Sequence, residues 1–215
     1  MVSDRSVRYV GHVPRRPEPG ARDRILDAAG ALFYARGVRA TGMSEVVETA
    51  GCGKNLLYGH FPSKADLVAA YLERFRERRE AAAERVVRER DGDPAAQLVA
   101  LVAEVAGRIG TPGFRGCALR HYLVEFPDAD DAAGRIARGY LQDSRTRVAD
   151  LASHLGTADP DGVTERVWLV VEGLYASAAR PADRSTGRAA VALVTETVES
   201  AVRGRRQANG CSTKS

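Results

Sequence analysis

The chain has 215 residues, 44% hydrophobic and 28% charged, which is the composition of a globular protein with one or two domains. Its formal net charge is +4, and residues 1–64 hold ten Lys or Arg against six Asp or Glu, so the excess positive charge lies near the N-terminus. The three cysteines form no CxxC pair, which argues against a disulfide scaffold or a zinc site. No apolar run approaches the about 20 residues of a membrane span, and the N-terminus lacks an apolar signal core, so we expect a soluble cytoplasmic protein.

The N-terminal segment precedes the first predicted helix. Residues 1–20 show no helical period and contain three prolines, so they predict a disordered basic arm. Such an arm can lie along phosphates or in a minor groove, or it can be a solvated tail. Ala21 begins a predicted helix that Gly37 can end in a left-handed conformation. The apolar stripe of this helix consists of Ile25, Ala28, Ala29, Leu32 and Phe33.

Two short helices flank a glycine turn in the next segment. The first runs from Met43 to Ala50, with apolar residues at positions that share one helical face. The sequence Gly51-Cys52-Gly53 breaks this helix, and a second helix follows as far as Phe61. Two short helices across a tight turn predict a helix-turn-helix unit, whose second helix fits the major groove of DNA.

The second short helix carries polar side chains suited to DNA. No carboxylate occurs between Glu48 and Asp66, so nothing in this stretch of the sequence repels phosphate. Half or more of the hydrogen bonds between proteins and DNA go to the backbone, from hydroxyl, amide and cationic side chains. The alternative is a three-helix packing unit that binds no DNA. The hydrogen-bond donors of this helix are Lys54, Asn55, Tyr58 and His60.

Helical periodicity continues through the rest of the chain, and no segment shows a convincing strand pattern. Turn sequences rich in Gly, Pro and Asp separate the periodic segments. We therefore predict an all-α fold of about nine helices. A helix-turn-helix DNA-binding domain is expected at 21–66, a C-terminal domain for ligand binding and dimerisation at 67–206, and a disordered tail at 207–215. The remaining helices are predicted at 63–90, 95–109, 114–126, 130–156, 162–180 and 185–203.

The last two predicted helices have apolar arcs wider than one packing contact needs. Such arcs indicate burial against a second copy of the chain, and the alternative is that both pack only within one subunit. A two-fold dimer would also place paired recognition helices about 34–36 Å apart, the spacing of the half-sites in a palindromic operator. A homodimer on duplex DNA is therefore expected.

The residues from about Arg22 to Phe75 resemble the TetR family of bacterial transcriptional regulators. The resemblance rests on the ordered pattern ILDAAGALFYARGVRATGMSEVVETAGCGKNLLYGHFPSKADL. It implies that the second short helix reads an operator. It also implies phosphate contacts, mainly from Thr41, Tyr58 and Lys64. Contacts with base edges or nearby phosphate are implied for Lys54, Asn55 and His60.

Three residues depart from the pattern of the family. Gly53 stands where Ser or Thr is usual, which removes a side-chain cap at a cost of only a few tenths of a kcal/mol. Leu56 stands where a small polar residue is common. Gly59 stands where an aromatic residue or His is common, which removes a potential base contact and costs about 1 kcal/mol of helix propensity relative to Ala. The operator sequence therefore does not carry over from the family.

The resemblance also implies dimerisation through the last two helices and a small-molecule cavity among the C-terminal helices. Binding of an effector there would release the DNA, and repression is expected rather than activation. Candidates for the cavity combine apolar bodies with polar tips, although a residue of this kind is more often part of the core. These candidates are Phe114, Cys117, His121, Tyr122, Trp168 and Tyr175.

Cys117 and His121 are four residues apart, a spacing that suits a thiolate–imidazole pair or two metal ligands. No further ligands of suitable spacing follow, and the alternative is a buried small side chain beside a hydrogen-bonded histidine. We expect no catalytic residue, metal, cofactor or enzymatic activity. Two other functions stay open: a redox-responsive regulator that uses Cys117, and a ligand-binding or enzymatic helical protein with a vestigial DNA-binding head.

Overall fold

A computed structural model describes residues 19–179 and 184–211, and the regular elements in these ranges are all helical, which confirms the predicted all-α class. A short 3-10 turn at Ser177–Ala179 follows the eighth α-helix. The α-helices are α1 (Ala21–Arg36), α2 (Met43–Thr49), α3 (Lys54–His60), α4 (Lys64–Arg88), α5 (Pro94–Arg108), α6 (Ala118–Glu125), α7 (Ala132–Ser153), α8 (Pro160–Ala176) and α9 (Arg184–Cys211).

The two terminal segments that we predicted to be disordered lie only partly within the residues that the structure describes. The arm predicted at 1–20 lies outside them except for its last two residues. At the other end, α9 continues to Cys211, beyond the predicted start of the tail at Gln207. Residues 212–215 lie outside the described ranges.

Side-chain caps mark the first turns of α4, α5, α7 and α8. Each capping oxygen accepts a hydrogen bond from the backbone N–H three residues later, which satisfies a donor that has no partner within the helix. In α5 and α8 a proline follows the cap and presets the first helical residue. By contrast, α2 and α3 begin at Gly42 and Gly53 without a side-chain cap. The capping residues are Ser63, Asp93, Asp131 and Asp159.

The first three helices and the start of α4 pack around a common apolar centre. Helix α1 contacts α2, α3 and α4, so it braces both short helices. Helix α3 buries only Leu57, and Phe61 at its C-cap is buried beside it. Arg22 lies over the Phe61 ring at 5.2 Å from the ring centroid. Buried side chains from these elements include Ile25, Leu26, Phe33, Val46 and Leu67.

The remaining helices form a bundle in which α7 contacts α4, α6 and α8, and α9 lies mainly along α5. Close approach of α9 to α5 depends on small residues, because a Cβ atom at Gly187 would lie 3.0 Å from the carbonyl oxygen of Ala106. Leu98, Leu174 and Val194 fill the centre of the bundle and are buried. Within the described ranges, the helices are too short or too polar to span a lipid bilayer.

The helix predicted at 114–126 begins later than expected, at Ala118. Gly113 and Gly116 have φ angles of +79° and +103°, which are left-handed conformations that side chains rarely adopt. Residues 114–117 therefore form a loop, and Cys117 is the N-cap of α6 rather than a residue inside it. This loop and α6 form one wall of the cavity described below.

Candidate DNA-binding surface and adjoining cavities

Five of the six side chains predicted to contact DNA are exposed or half-buried. Lys54, Asn55 and Tyr58 on α3 are exposed, and Tyr58 is 46% exposed in spite of its large aromatic ring. His60 at the end of α3 and Lys64 at the start of α4 are half-buried. The burial of Leu57 and Phe61 turns the opposite face of α3 to the solvent. We call these five polar residues the α3 surface; they are Lys54, Asn55, Tyr58, His60 and Lys64.

Thr41 has a different place from the one that the sequence predicted. Its side chain is only 1% exposed, and its hydroxyl donates a hydrogen bond to the carbonyl oxygen of Gly37 at 2.9 Å. The hydroxyl therefore holds the loop between α1 and α2 from inside the protein. A phosphate contact through this side chain would require that hydrogen bond to open.

Two carboxylates close to the α3 surface in the sequence, those of Glu45 and Asp66, are engaged by other groups, whereas Glu48 is exposed. Asp66 accepts a hydrogen bond from the Ser63 hydroxyl at 2.7 Å as part of the α4 cap. Glu45 on α2 forms an ion pair with Arg36. A Cβ atom at Gly59 would meet no heavy atom within 4 Å, so packing does not demand glycine there. The α3 surface therefore offers donors and cations to a polyanion, with a bare patch at Gly59.

An open cavity lies beside α6, bounded by the 114–117 loop and the C-terminal part of α8, with a volume of about 650 Å³. We call it the outer cavity. Four of the six predicted ligand residues line it: Phe114, Cys117, His121 and Tyr175. The polar lining was largely missed by the sequence reasoning, because charged residues on amphipathic helices are usually solvated. These missed residues are Arg115, Arg120 and Glu172.

Arg120 lines the outer cavity and is held in place by neighbouring side chains. Its guanidinium donates to both carboxylate oxygens of Glu172, at 2.5 Å and 3.1 Å. It also lies over the rings of Tyr175 and Trp168, at 4.5 Å and 5.4 Å from their centroids. Burial disfavours the Arg120 cation, but the hydrogen bond with Glu172 and the charges around it together outweigh burial and raise the pKa of Arg120. A charged side chain is thus fixed between two aromatic rings.

Trp168 and Tyr122 do not join the predicted cluster in the outer cavity. Trp168 lines a separate, smaller cavity on the other side of Arg120, together with Tyr175. The Tyr122 hydroxyl donates to Asp131 at 2.8 Å, and its ring stacks on Phe126 at a centroid distance of 4.9 Å. Asp131 also caps α7, so Tyr122 ties α6 to the start of α7 and lines neither cavity.

The Cys117–His121 pair lacks the setting that reactive or metal-bound cysteines need. The Cys117 residue is 1% exposed, and the His121 backbone N–H donates to its carbonyl oxygen as the first turn of α6. In the part of the chain that the structure describes, no three His, Cys, Asp or Glu side chains are grouped to hold a metal ion. A buried small side chain beside a histidine, the second interpretation above, fits this geometry.

His121 lies between the outer cavity and α1. Its ring stacks on Tyr34 at a centroid distance of 6.3 Å. Burial lowers the pKa of His121, the nearby Arg115 cation lowers it further, and Glu125 opposes both effects. The neutral imidazole is therefore the form that the folded protein favours.

A pH prediction follows from the lowered pKa of His121. As the pH falls below the ordinary value of 6.5, the unfolded chain takes up this proton before the folded chain does. The contribution of His121 to stability is therefore full above that value and is lost as the pH falls towards the folded pKa. We expect His121→Gln to lose less free energy of unfolding than the wild type between about pH 7.5 and about pH 5, measured by urea denaturation. If both proteins lost the same free energy of unfolding over this pH range, the lowered pKa of His121 would be contradicted.

Two polar contacts fasten the wall of the outer cavity to α1 and its following loop. The Tyr34 hydroxyl donates to the Gly116 carbonyl oxygen and accepts from the Arg115 N–H, both at 2.9 Å. At the other end of α6, the Glu125 carboxylate accepts from the backbone N–H groups of Val38 and Arg39, at 3.1 Å and 2.9 Å. We call the second contact the Glu125 latch. Any shift of α6 must therefore strain or move the loop that leads into α2.

The Glu125 latch requires a residue without a side chain at position 37. Gly37 has a φ of +88°, and a Cβ atom there would lie 2.5 Å from the Oε1 atom of Glu125. Glycine thus serves both the left-handed end of α1 and the close approach of the carboxylate. Arg39 adds a further contact, because its guanidinium lies 4.6 Å from the centroid of the Phe126 ring.

Comparison with known proteins identifies the helical unit around α3. A family model described as "Bacterial regulatory proteins, tetR family" matches residues 25–71. The transcriptional activator FasR of Mycolicibacterium smegmatis is 43% identical over 60 residues, which are 28% of this chain and 27% of the activator. The chain thus aligns with only about a quarter of the length of that relative. The transcriptional repressor BdcR of Escherichia coli is 29% identical over 167 residues, 77% of this chain and 83% of the repressor.

Solved structures share the arrangement of helices over most of the chain. A TetR-family transcriptional regulator from Streptomyces coelicolor superposes with a TM-score of 0.79 at 24% identity, covering 86% of this chain and 97% of that one. A protein from Streptomyces avermitilis, described as a TetR-type transcriptional regulator, superposes with a TM-score of 0.70. It is 32% identical, and the match covers 84% of this chain and 97% of that one.

Proposed function

This chain belongs to the TetR family of bacterial regulatory proteins, and on that premise we propose that it is a cytoplasmic transcriptional repressor that binds a palindromic DNA operator as a homodimer. A small molecule in the helical body would release it from the DNA. Repression, rather than activation, is supported by the longer alignment with the repressor BdcR. BdcR aligns with 77% of this chain, whereas the activator FasR aligns with 28%. We assign DNA binding to residues 21–66 and regulation to residues 67–206.

The α3 surface is the observation that carries this proposal. Four of its five donors lie on a short helix that is held by one buried residue, Leu57, and braced by α1, and the fifth, Lys64, begins α4. We propose phosphate contacts for Tyr58 and Lys64, and contacts with base edges or nearby phosphate for Lys54, Asn55 and His60. Thr41 is left out of this set, because its hydroxyl is buried and bonded to Gly37.

Selection of random DNA by the purified full chain tests the proposal. The expected product is a palindrome whose half-sites are about one helical turn apart or a multiple of it, bound with an affinity that falls steeply as salt rises. Recovery of no enriched sequence at low salt, with protein that is folded by circular dichroism, would overturn it. The genomic positions of the palindrome would then identify the regulated genes.

Exposed apolar side chains on α8 and α9 support the proposed homodimer. Leu169 is 67% exposed and Leu193 is 53% exposed, and exposed small residues lie near both, including Gly173 and Ala189. Large apolar side chains grouped with small ones are typical of a surface that is covered in the working assembly. We propose that the same face of a second copy covers them.

Charge introduced on that face should separate the subunits. We expect the double variant Leu169→Glu/Leu193→Glu to sediment as a monomer at concentrations where the wild type is a dimer, because each carboxylate would be buried without a partner. Gln142→Glu, which adds a carboxylate at an exposed position of α7, is the matched control and should stay dimeric. A dimeric double variant would contradict the proposed interface.

The outer cavity and the Glu125 latch support the proposal that an effector acts on DNA binding. The 114–117 loop and α6 line the cavity and also contact Tyr34 and the loop after α1. A ligand that prefers one position of α6 would bias the orientation of α2 and α3 by its difference in affinity between the two states. We therefore place an effector-binding site at Phe114, Cys117, His121 and Tyr175.

The latch can be tested at single amides. In Glu125→Ala, the backbone N–H groups of Val38 and Arg39 lose their acceptor, and hydrogen exchange at these two amides should become faster. The free energy of unfolding should fall by about 1–2 kcal/mol, as for a hydrogen bond to a charged group near the surface. Glu77→Ala removes an exposed carboxylate from α4 and should change neither measurement. Unchanged exchange in Glu125→Ala would remove the latch from the mechanism.

The two alternative functions have less support. A redox-responsive regulator needs an accessible thiol, and Cys117 is buried. Retention of an oxidant response in Cys117→Ser would exclude it. An enzyme with a vestigial DNA-binding head needs an accessible nucleophile beside a base, and Cys117 is buried at the start of α6.

A further inference from the structure

A second cavity lies inside the bundle, on the opposite side of Arg120 from the outer cavity. Five helices, α4 to α8, contribute to its lining, and its volume is about 60 Å³. We call it the inner cavity. Its volume is less than half of the roughly 150 Å³ of an engineered cavity that holds benzene. A ligand that fits without rearrangement therefore has fewer heavy atoms than benzene has.

Positive charge dominates the lining of the inner cavity. Arg79, Arg120 and Arg147 line it, against the single carboxylate of Glu104. Arg120 is paired with Glu172, and Arg79 with Glu104. Arg147 forms no ion pair with any residue in the described ranges. Two of the three arginines are therefore neutralised by carboxylates, and the positive charge of the third remains at the cavity.

An unused donor is present on the most buried of these arginines. The Arg79 side chain is 10% exposed, and one of its Nη groups bonds with Glu104. Its Nε–H has no hydrogen-bond partner among the residues that the structure describes. Because buried donors are nearly always paired, an unpaired N–H on a residue that lines a cavity indicates a place for an acceptor atom.

Two phenols add further donors. Tyr140 and Tyr175 line the same cavity. Burial is the main cause that raises the pKa of each, so both keep their O–H protons at neutral pH. The rest of the lining is mainly aliphatic, with Leu101, Val105, Val148 and Val171. The cavity thus joins a donor-rich cationic end to a short apolar space.

We propose that the inner cavity binds a short-chain monocarboxylate of about five heavy atoms, whose carboxylate accepts from Arg79 Nε–H and from the tyrosine hydroxyls while its alkyl group contacts the aliphatic lining. This inference rests on the proposed function, because it assigns a ligand class to a second effector site, next to the one proposed in the outer cavity. Arg79 lies on α4, whose first residues pack against the DNA-binding helices. The ligand would therefore contact the helix that joins the two parts of the chain.

The fluorescence of Trp168 provides a direct binding signal, because it is the only tryptophan in the chain and lines the inner cavity. The full chain is titrated without DNA, at constant ionic strength, with sodium propionate, propionamide and benzoate. Propionate should give a saturable change, and propionamide, which has the same shape without the charge, should bind at least tenfold more weakly. Benzoate should bind more weakly than propionate. No saturable change with propionate, or equal affinity for propionamide, would overturn the proposal.

Variants then locate the site. The double variant Arg79→Met/Glu104→Leu removes the buried cation together with its partner and should weaken propionate binding at least tenfold. Tyr140→Phe, which removes one hydroxyl from the same cavity, should weaken it several-fold. Arg76→Met/Glu73→Leu removes an ion pair from the more exposed side of α4 and should bind as the wild type does. If Arg79→Met/Glu104→Leu and Tyr140→Phe both bound propionate with wild-type affinity, the inner cavity would not be the binding site.

The failure of this proposal can be separated from failure of the proposed function. Operator selection is done without any carboxylate, so a palindrome with no propionate binding would overturn the ligand class and leave the regulator in place. Propionate binding with no selected DNA would overturn the regulator and leave the cavity assignment. Release of the selected operator by propionate, and not by propionamide, supports both.

Discussion

Replacing Tyr58 and Lys64 by alanine is expected to lower operator affinity about a thousandfold. Both side chains belong to the α3 surface and lie clear of the apolar core, so the fold should survive. Each phosphate contact contributes about 1 kcal/mol, and a dimer loses four of them, which corresponds to roughly 4 kcal/mol. Fluorescence anisotropy with a labelled operator measures the loss.

Salt dependence distinguishes lost phosphate contacts from damage to the fold. Two lysines fewer per dimer should reduce the slope of log affinity against log salt by about 2, and the affinity should fall for all sequences alike. Arg90→Ala removes an exposed cation beyond the end of α4 and should leave both affinity and slope unchanged. If the double variant kept the wild-type affinity and slope, the α3 surface would not be the DNA contact.

Replacing Arg79 alone by methionine is expected to destabilise the protein by about 3–5 kcal/mol, because it leaves Glu104 charged and buried without a partner. The two side chains are 10% and 12% exposed, so water cannot replace the lost contact well. Burial by itself disfavours the Arg79 cation, but the hydrogen bond and charge of Glu104 outweigh it and raise the pKa of Arg79. The stability of this pair therefore depends on both members.

The double variant Arg79→Met/Glu104→Leu should recover most of that loss and lie within about 1–2 kcal/mol of the wild type, because well-packed apolar side chains often replace a buried ion pair without cost. Urea denaturation of the wild type, both single variants and the double variant gives the coupling energy. Additive effects of the two single changes would mean that the ion pair contributes nothing to stability.

Local patterns were sufficient for most of the helices. Eight of the predicted helices differ from those observed mainly at their ends, because apolar spacing, Ser or Asp caps and Gly stops act over a few residues of the chain. The exception is the start of α6, where the helical pattern of 114–117 is overridden by the left-handed Gly116. A glycine in the sequence does not reveal its own φ angle, so this boundary depends on the contacts around the loop.

Individual roles in the site were less accessible to sequence reasoning. Tyr122 and Trp168 have the same amphipathic character as His121, yet Tyr122 bonds with Asp131 and Trp168 faces a different cavity. Arg79 lies in the charged second half of α4, where such a pattern by itself favours a solvated face, but Arg79 is buried in an ion pair with Glu104. Hydrophobicity and spacing do not specify which partner a polar side chain finds.

The sequence by itself determined that this protein is all-helical, that a helix-turn-helix lies between residues 41 and 64, and that a carboxylate-free polar helix completes it. These properties depend on neighbours within a few residues along the chain. Tertiary structure alone decided that Thr41 is buried, that Glu125 holds the loop after α1, and that Arg79 meets Glu104 beside an inner cavity. The contacts of Glu125 and Arg79 join residues 25 to 87 positions apart, and their free energy depends on burial and distance that no local pattern encodes.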